Sequence, residues 1–200
     1  MKGGLKILPN LKPYGTNCYI LPKGGIIIDP GTEASYILET IKGLTINYII
    51  NTHGHIDHIA GNDKIREETG ACLLISEEDS LMLSSPLLNV SGFFGEELYF
   101  KPPDRIIKDG DKIGDIVVLK TPGHTKGSIS LIWNDCIFCG DTIFKNGYGR
   151  TDLPGGNLEE LKNSIKKLLE FPENTILYPG HGDCLTIKEA KWQLGSLIDL

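Results

Sequence analysis

The amino-acid sequence predicts an α/β protein in which two sheets pack face to face and carry helices on their outer sides. Three observations predict it. Apolar runs of strand length alternate with segments of helical period, each half of the chain closes on a helix, and every histidine lies in a turn directly after a predicted strand. At 200 residues, 40% of them hydrophobic, residues 1–200 can form one domain with a full core, needing neither disulfides nor a structural metal. A metal bound by such a chain is then a candidate for chemistry.

The elements follow in order. A strand at Cys18–Leu21 turns at Gly24-Gly25 into the buried run Ile26–Ile28, which stops at Asp29-Pro30-Gly31. Thr32 reads as the cap of a helix ending near Gly43, and Ile46–Ile50 as the next strand. That strand runs into Thr52-His53-Gly54-His55 and then one helix from about Asp57 to Gly70. Ala71–Ser76 and a short helix at Glu77–Leu83 close the first half. The long segment Ser84–Asp104 carries Phe93, Phe94, Tyr99 and Phe100; it reads either as a lid or binding loop, or as a segment packed on the core or a subunit contact. Asp109-Gly110 reads as a hairpin turn before strands at Ile116–Lys120, Ser130–Trp133 and Cys136–Cys139. Asn157 with Glu160 reads as a capping box for an amphipathic helix stopped by Pro172. Thr175–Tyr178 is a further strand, and Thr186 with Glu189 caps a last helix bearing Ile187, Ala190, Leu194, Leu197 and Ile198.

Composition narrows the function classes. A net charge of −6 disfavours a nucleic-acid binder, which needs a basic face to displace counterions. Apolar runs such as Gly25–Ile28 and Tyr48–Ile50 fall far short of the roughly 20 residues that span a bilayer, so no membrane partner is expected. Pro9 and Pro13 interrupt any signal-peptide apolar stretch, and five cysteines, an odd number, fit reduced thiols, so the expected location is cytoplasmic. The expected partner is a small molecule. Cys136 and Cys139, three apart on a predicted strand, face opposite sides and read as core cysteines, as does Cys184 by default.

The chemistry sits in the turns. Three of the five histidines lie in His53-x-His55-x-Asp57-His58, one in Thr121-Pro122-Gly123-His124 and one in Pro179-Gly180-His181-Gly182. In extended chain His53 and His55 point the same way and can converge on one cation, while Asp57 and His58, where the chain turns into a helix, are re-aimed toward a neighbouring position. Two metal sites are then plausible, with Asp141 in Cys139-Gly140-Asp141-Thr142 as the carboxylate to bridge them. Mixed imidazole and carboxylate donors suit zinc, iron or manganese.

In chain order, Asp29 after a buried strand, THGHIDH at Thr52–His58, TPGHT at Thr121–Thr125, GDTIF at Gly140–Phe144 and PGHG at Pro179–Gly182 resemble the metallo-β-lactamase fold superfamily over nearly the whole chain. Within it, GDTIFKNGYGRTDLPGG is similar to the compact type II glyoxalase-like hydrolases, which cleave acylglutathione thioesters. The resemblance implies a four-layer αββα sandwich with a dinuclear metal site at one rim. One ion would take His53, His55 and His124, the other Asp57, His58 and His181, with Asp141 between them and Asp29 orienting the ligand loop by hydrogen bonds. The implied activity is hydrolysis of hydroxyacylglutathione-type thioesters by a hydroxide shared between two divalent ions, zinc first and iron or manganese next, with Asp57 and Asp141 acting directly at the reaction. Arg150 matches a basic position that grips a substrate carboxylate. Asp152 and Asp183 stand where those enzymes carry tyrosines, and the C-terminal helical domain that completes their glutathione site is expected to be absent, so the thiol carrier stays open. Two rivals share the fold: a persulfide dioxygenase holding one iron on His53, His124 and Asp141, and a lactonase-type hydrolase.

Overall fold

The computed structural model describes residues 4–195. The first sheet runs β1 (Lys6–Leu11), β2 (Thr16–Leu21), β3 (Ile26–Ile28), β4 (Tyr48–Ile50), β5 (Cys72–Ser76) and β6 (Arg105–Ile107) in spatial order, antiparallel up to β3 and parallel from there. In the second half come β7 (Lys112–Ile113), β8 (Ile116–Lys120), β9 (Ile129–Trp133), β10 (Cys136–Gly140), the small pair β11 (Ile143–Phe144) and β12 (Gly147–Tyr148), then β13 (Ile176–Pro179) and β14 (Leu185–Thr186). Its sheet is ordered β14-β13-β10-β9-β8-β7. The helices are α1 (Ala34–Thr40), α2 (Ile56–Ile59), α3 (Asn62–Thr69), α4 (Glu77–Ser80), α5 (Leu158–Leu169) and α6 (Ile187–Leu194).

Alternation along the strands builds the layers. Tyr19 and Leu21 of β2, Ile26 and Ile28 of β3 and Ile50 of β4 point inward against Val118, Leu131 and Phe138 of the second sheet. Their neighbours Cys18, Ile20, Ile27 and Ile49 point outward, against Ile37 of α1 and Ile65 of α3. On the far side Ile137, Cys139 and Leu177 pack against Leu161, Ile165 and Leu168 of α5 and Ile187 and Ala190 of α6. Strands buried on both faces must read as continuous apolar runs, as Ile26–Ile28 does. Three apolar layers between four structural layers make the αββα sandwich.

Several sequence expectations are corrected here. Thr32 does not cap α1: Glu33 is the N-cap residue, without a side-chain bond, and the Thr32 hydroxyl donates instead to the Lys12 carbonyl. The single helix expected over Asp57–Gly70 is two, α2 and α3, with Gly61 between them, where a Cβ would crowd the Gly31 carbonyl at 2.9 Å. Asp109-Gly110 is not a hairpin turn, because β6 and β7 belong to different sheets and the segment crosses between them; the hairpin is β7-β8. The helix expected over Glu77–Leu83 is α4 followed by a 3₁₀ turn at Leu81–Ser84. β1 was not anticipated, and Leu197 and Ile198 lie outside the described residues. The Asn157 side chain accepts the amides of Glu159 and Glu160, while a complete reciprocal capping box forms at Thr186–Glu189. Cys136 and Cys139 are both buried, and Cys184 is exposed.

Topology decides where the polar turns go. β10 runs parallel to β13 and antiparallel to β9, which is antiparallel to β8, so the carboxyl ends of β8, β10 and β13 emerge together. The turn after β4 meets them at the same rim, where the Ile129 amide donates to the Thr52 carbonyl at 2.9 Å.

Candidate metal centre

His53 and His55 follow β4, Asp57 and His58 lie on the first turn of α2, His124 follows β8, Asp141 follows β10 and His181 follows β13. A register shift at Gly140, whose φ is 48°, bends the end of β10 and aims Asp141 into the cluster. Gly180 is required beside it: a Cβ there would run into Asp141 Oδ1 and His58. All seven residues that the sequence singled out as donors therefore meet at one rim. They fall into sets whose donor atoms lie within 4.8 Å of one another, His53-His55-His124, His53-His58-Asp141 and Asp57-His58-His181, each of which could hold a metal ion.

The proton positions can be worked out from the partners. The Thr52 hydroxyl donates to Asp29 Oδ2 at 2.6 Å, so its oxygen is left to accept from His53 Nδ1 at 3.2 Å. His58 Nδ1 donates to Asp29 Oδ2 at 2.9 Å, His124 Nδ1 to the Arg150 carbonyl at 2.8 Å and His181 Nδ1 to the Gly15 carbonyl at 3.2 Å. In the neutral ring each of these four presents a bare Nε2 lone pair inward, the pattern of outer partners that orients metal-binding imidazoles. His58 Nε2 then faces Asp57 Oδ2 at 3.4 Å and Asp141 Oδ1 at 3.3 Å, and His124 Nε2 faces His55 Nδ1 at 2.9 Å. The His58 pairings set a lone pair against carboxylate oxygens and need a cation or an added proton between them, whereas a neutral His55 can donate its Nδ1 proton to His124. Among the described residues, His53 Nε2, His55 Nε2, His58 Nε2 and Asp141 Oδ1 are buried without a hydrogen-bond partner. Unsatisfied buried atoms are costly, so this donor set fits a bound cation.

Charge divides the cluster. Burial, with the neighbouring imidazoles, holds His53 well below the usual histidine value and pushes His55 down to about 3. Burial would lower His58 too, but Asp57, Asp141 and Asp29 outweigh it and hold it well above. Burial would raise Asp57 and Asp141, but His58 above all holds both below the usual carboxylate range.

Asp29 accepts from the Thr52 amide at 2.8 Å as well as from the Thr52 hydroxyl and His58, tying the ligand turn to β3. Sequence reasoning missed Asp79, a buried carboxylate just after β5. It accepts from the Gly54 amide at 3.1 Å, the Thr125 hydroxyl at 2.6 Å and the Gly127 amide at 2.8 Å, and so joins the His53–His55 turn to the His124 turn. Burial raises its pKa, and these donors oppose the rise. Sequence reasoning also missed Thr16, whose hydroxyl donates to Asp57 Oδ2 at 3.1 Å.

The cluster floors a cleft of about 430 Å³ that Tyr14, Phe94 and Arg150 also line. Arg150 is exposed and holds Asp152 through two parallel bonds, Nε to Oδ1 at 2.7 Å and Nη2 to Oδ2 at 2.6 Å. No helix among the described residues is long and apolar enough to cross a membrane.

Comparison with known proteins agrees with this geometry. Residues 11–181 match the family model described as the metallo-beta-lactamase superfamily. A Bacillus subtilis (strain 168) protein named "Probable metallo-hydrolase YqgX" is 41% identical over 182 residues, covering 85% of this chain and 86% of its own. A Haemophilus influenzae protein named "Hydroxyacylglutathione hydrolase GloC" is 32% identical over 204 residues, covering 94% of each. Among solved structures, BLEG-1, described as a B3 metallo-beta-lactamase, superposes with a TM-score of 0.88 at 34% identity over 96% of this chain and 97% of its own. TTHA1623 in a di-iron-bound form gives 0.85 at 29% identity over 92% and 96%.

Proposed function

The chain belongs to the metallo-β-lactamase superfamily, and from that premise we propose that this metal-dependent hydrolase binds two divalent ions and cleaves thioesters of small molecules. The observation that carries the reading is Asp141, whose carboxylate reaches one imidazole of each half of the cluster: Oδ2 is 3.5 Å from His124 Nε2 and Oδ1 is 3.3 Å from His58 Nε2. His53, His55 and His124 would hold one ion, Asp57, His58 and His181 the other, and Asp141 both. Zinc is the expected metal; the di-iron form of TTHA1623 keeps iron in view.

When bound, two such ions supply Lewis acidity and acidify a shared water toward a pKa of ~7. The rest falls to this chain. Asp57, held by Thr16, accepts a hydrogen bond from the attacking water and fixes its lone pair toward the carbonyl carbon. Asp29 keeps the His58 ring from turning as charge moves, and Asp79 fixes the turns that carry His55 and His124. Arg150 offers a guanidinium to a carboxylate on the substrate through parallel bonds, exchanging it for Asp152. The leaving thiolate needs no dedicated acid, because its pKa is low beside that of an alkoxide. The thioester is favoured over the lactam by the likeness to GloC together with Arg150 at the mouth of the cleft.

The test is elemental analysis of protein purified without added metal, with thioester, β-lactam and lactone panels and an oxygen-consumption assay with glutathione persulfide. About two ions per chain and thioester turnover lost on chelation are expected. Activity in protein with only traces of metal, or oxygen uptake in place of hydrolysis, would overturn the reading.

A further inference from the structure

The cleft has two walls that differ in charge. Arg150 lies on the side of the second sheet, beyond Asp141, among Phe144, Tyr148 and Leu153. On the side of the first sheet stand Tyr14 and Phe94, their ring centroids 5.2 Å apart and tilted by 44°, with Val90 beside them. Phe94 is 59% exposed, a large apolar surface left open to water next to a cluster of polar donors. Isolated apolar side chains on a surface need no explanation, but an aromatic pair lining a reactive cleft points to a ligand that covers it.

The loop that carries Phe94 is built as a fixed wall. The buried Asn89 donates through Nδ2 to the Leu98 carbonyl at 3.0 Å, accepts the Ser91 amide at 3.0 Å on Oδ1, and accepts the Ile56 amide at 2.9 Å on its own carbonyl. Ile56 lies between His55 and Asp57, so the loop is bonded directly to the ligand turn. Val90 has φ 63°, a left-handed conformation that a β-branched residue adopts only at a cost. Strain of that kind persists where the surroundings over-determine it, as the bonds of Asn89 on one side do here.

Charge orients the ligand. Glu96 places a negative charge near the Tyr14 ring, whereas the other wall offers the Arg150 guanidinium. An anionic arm is repelled from the aromatic side and drawn to the other. Resting on the thioesterase reading above, we infer that the Tyr14–Phe94 wall is the acyl subsite, and that the substrates are thioesters joining an apolar acyl chain to an anionic thiol. The chain's methylenes leave water against the rings, the carbonyl lies over the donor cluster, and the thiol's carboxylate reaches Arg150.

The test uses ligands that cannot be hydrolysed, so that binding is read separately from reaction. S-ethyl, S-hexyl and S-decyl glutathione are titrated calorimetrically into the enzyme as purified, into Phe94→Ala and into Phe94→Leu, with thermal melts to check folding. In the unsubstituted enzyme affinity should rise about tenfold from ethyl to hexyl, as expected for partial burial of the added methylenes. Phe94→Ala should flatten that dependence to within about twofold, and Phe94→Leu should restore part of it, as the apolar surface returns. In parallel, acetyl, hexanoyl and decanoyl thioesters of the same thiol should show the chain-length effect in KM rather than kcat. A flat series in the unsubstituted enzyme, no binding at all, or an undiminished slope in Phe94→Ala would overturn the acyl subsite. A chain-length slope in binding without hydrolysis of any thioester would leave the wall standing and overturn the thioesterase reading.

Discussion

The two halves of the donor cluster are built differently. His53, His55 and His124 form an all-imidazole group, each at most 3% exposed, and burial with their own mutual repulsion keeps His53 and His55 neutral. Asp57, His58 and His181 form a mixed group that sets a carboxylate against two imidazoles and opens to the cleft, with the Asp57 and His181 side chains 17% and 29% exposed. Two buried carboxylates brace the halves. Asp79 grips the turns of the first through Gly54, Thr125 and Gly127, and Asp29 holds His58 of the second by its ring nitrogen and reaches His53 of the first through Thr52. The difference teaches a division of labour: one half is a preformed socket of buried neutral imidazoles, the other a solvent-facing site where a carboxylate and an imidazole compete for a proton.

The sharpest way to break this comparison is to remove one imidazole from each half. His53 belongs to the socket and also touches the set with His58 and Asp141, so His53→Ala should disturb both ions. Thioester kcat should fall on the order of 1000-fold or more, since metal activation supplies several kcal/mol of barrier lowering. Elemental analysis should show less than one ion per chain. His58→Ala should lose on the order of 100-fold or more while one ion stays in the socket. If instead that variant keeps near-normal turnover with one iron and consumes oxygen with glutathione persulfide, the two halves are not partners, and the dioxygenase replaces the hydrolase.

The braces come next. Asp79→Ala leaves the buried amides of Gly54 and Gly127 without an acceptor and turns the Thr125 hydroxyl back onto Ser128, which should destabilise the fold by about 2–5 kcal/mol. Thermal melting of the metal-loaded protein checks this, and a Tm drop of roughly 5–15 °C is expected at this chain length. Asp29→Asn keeps the size but replaces one carboxylate oxygen with a donor, so either His58 Nδ1 or Thr52 loses its acceptor. It should lower affinity for the second ion, held by His58, by about 10–100-fold and for the first by less, since His53 is reached only through Thr52. Competition with a chelator separates the two ions.

The braces also show what the sequence could and could not reveal. Every donor was legible, because each sits in a Gly-bearing turn after an apolar strand, a pattern local in the chain. Asp29 was legible for the same reason and through its resemblance. Asp79 was not: Glu77-Glu78-Asp79 reads as the acidic start of a short helix, and its meaning lies in bonds to residues 25, 46 and 48 positions away. Thr16 was hidden likewise, 41 positions from Asp57. The four layers were legible from strand alternation and closing helices. The crossing at Asp109-Gly110 was not, because turn chemistry is the same whether the next strand pairs back or leaves for the other sheet. The close approach of the Gly31 backbone to Gly61, where the two helices meet, leaves no room for a Cβ, a tertiary contact that no helical period records.

The smallest expected effect falls on the wall that the mixed half faces. Arg150 and Asp152 are 62% and 67% exposed, and an ion pair so open to water contributes little to stability. Arg150→Ala should therefore shift Tm by no more than about a degree. Its backbone carbonyl still accepts from His124 Nδ1, so the socket is untouched and the metal content should not change. What is lost is the guanidinium that exchanges Asp152 for a substrate carboxylate, an interaction of about 1–2 kcal/mol in a partly open site. KM for an anionic thioester should rise about tenfold with kcat nearly constant, while KM for an uncharged thioester of the same acyl group stays put. An unchanged KM for the anionic substrate would mean that Arg150 serves only its partner Asp152, and the anion would have to be sought on Lys145, the cation paired with Asp183 in the turn between β11 and β12.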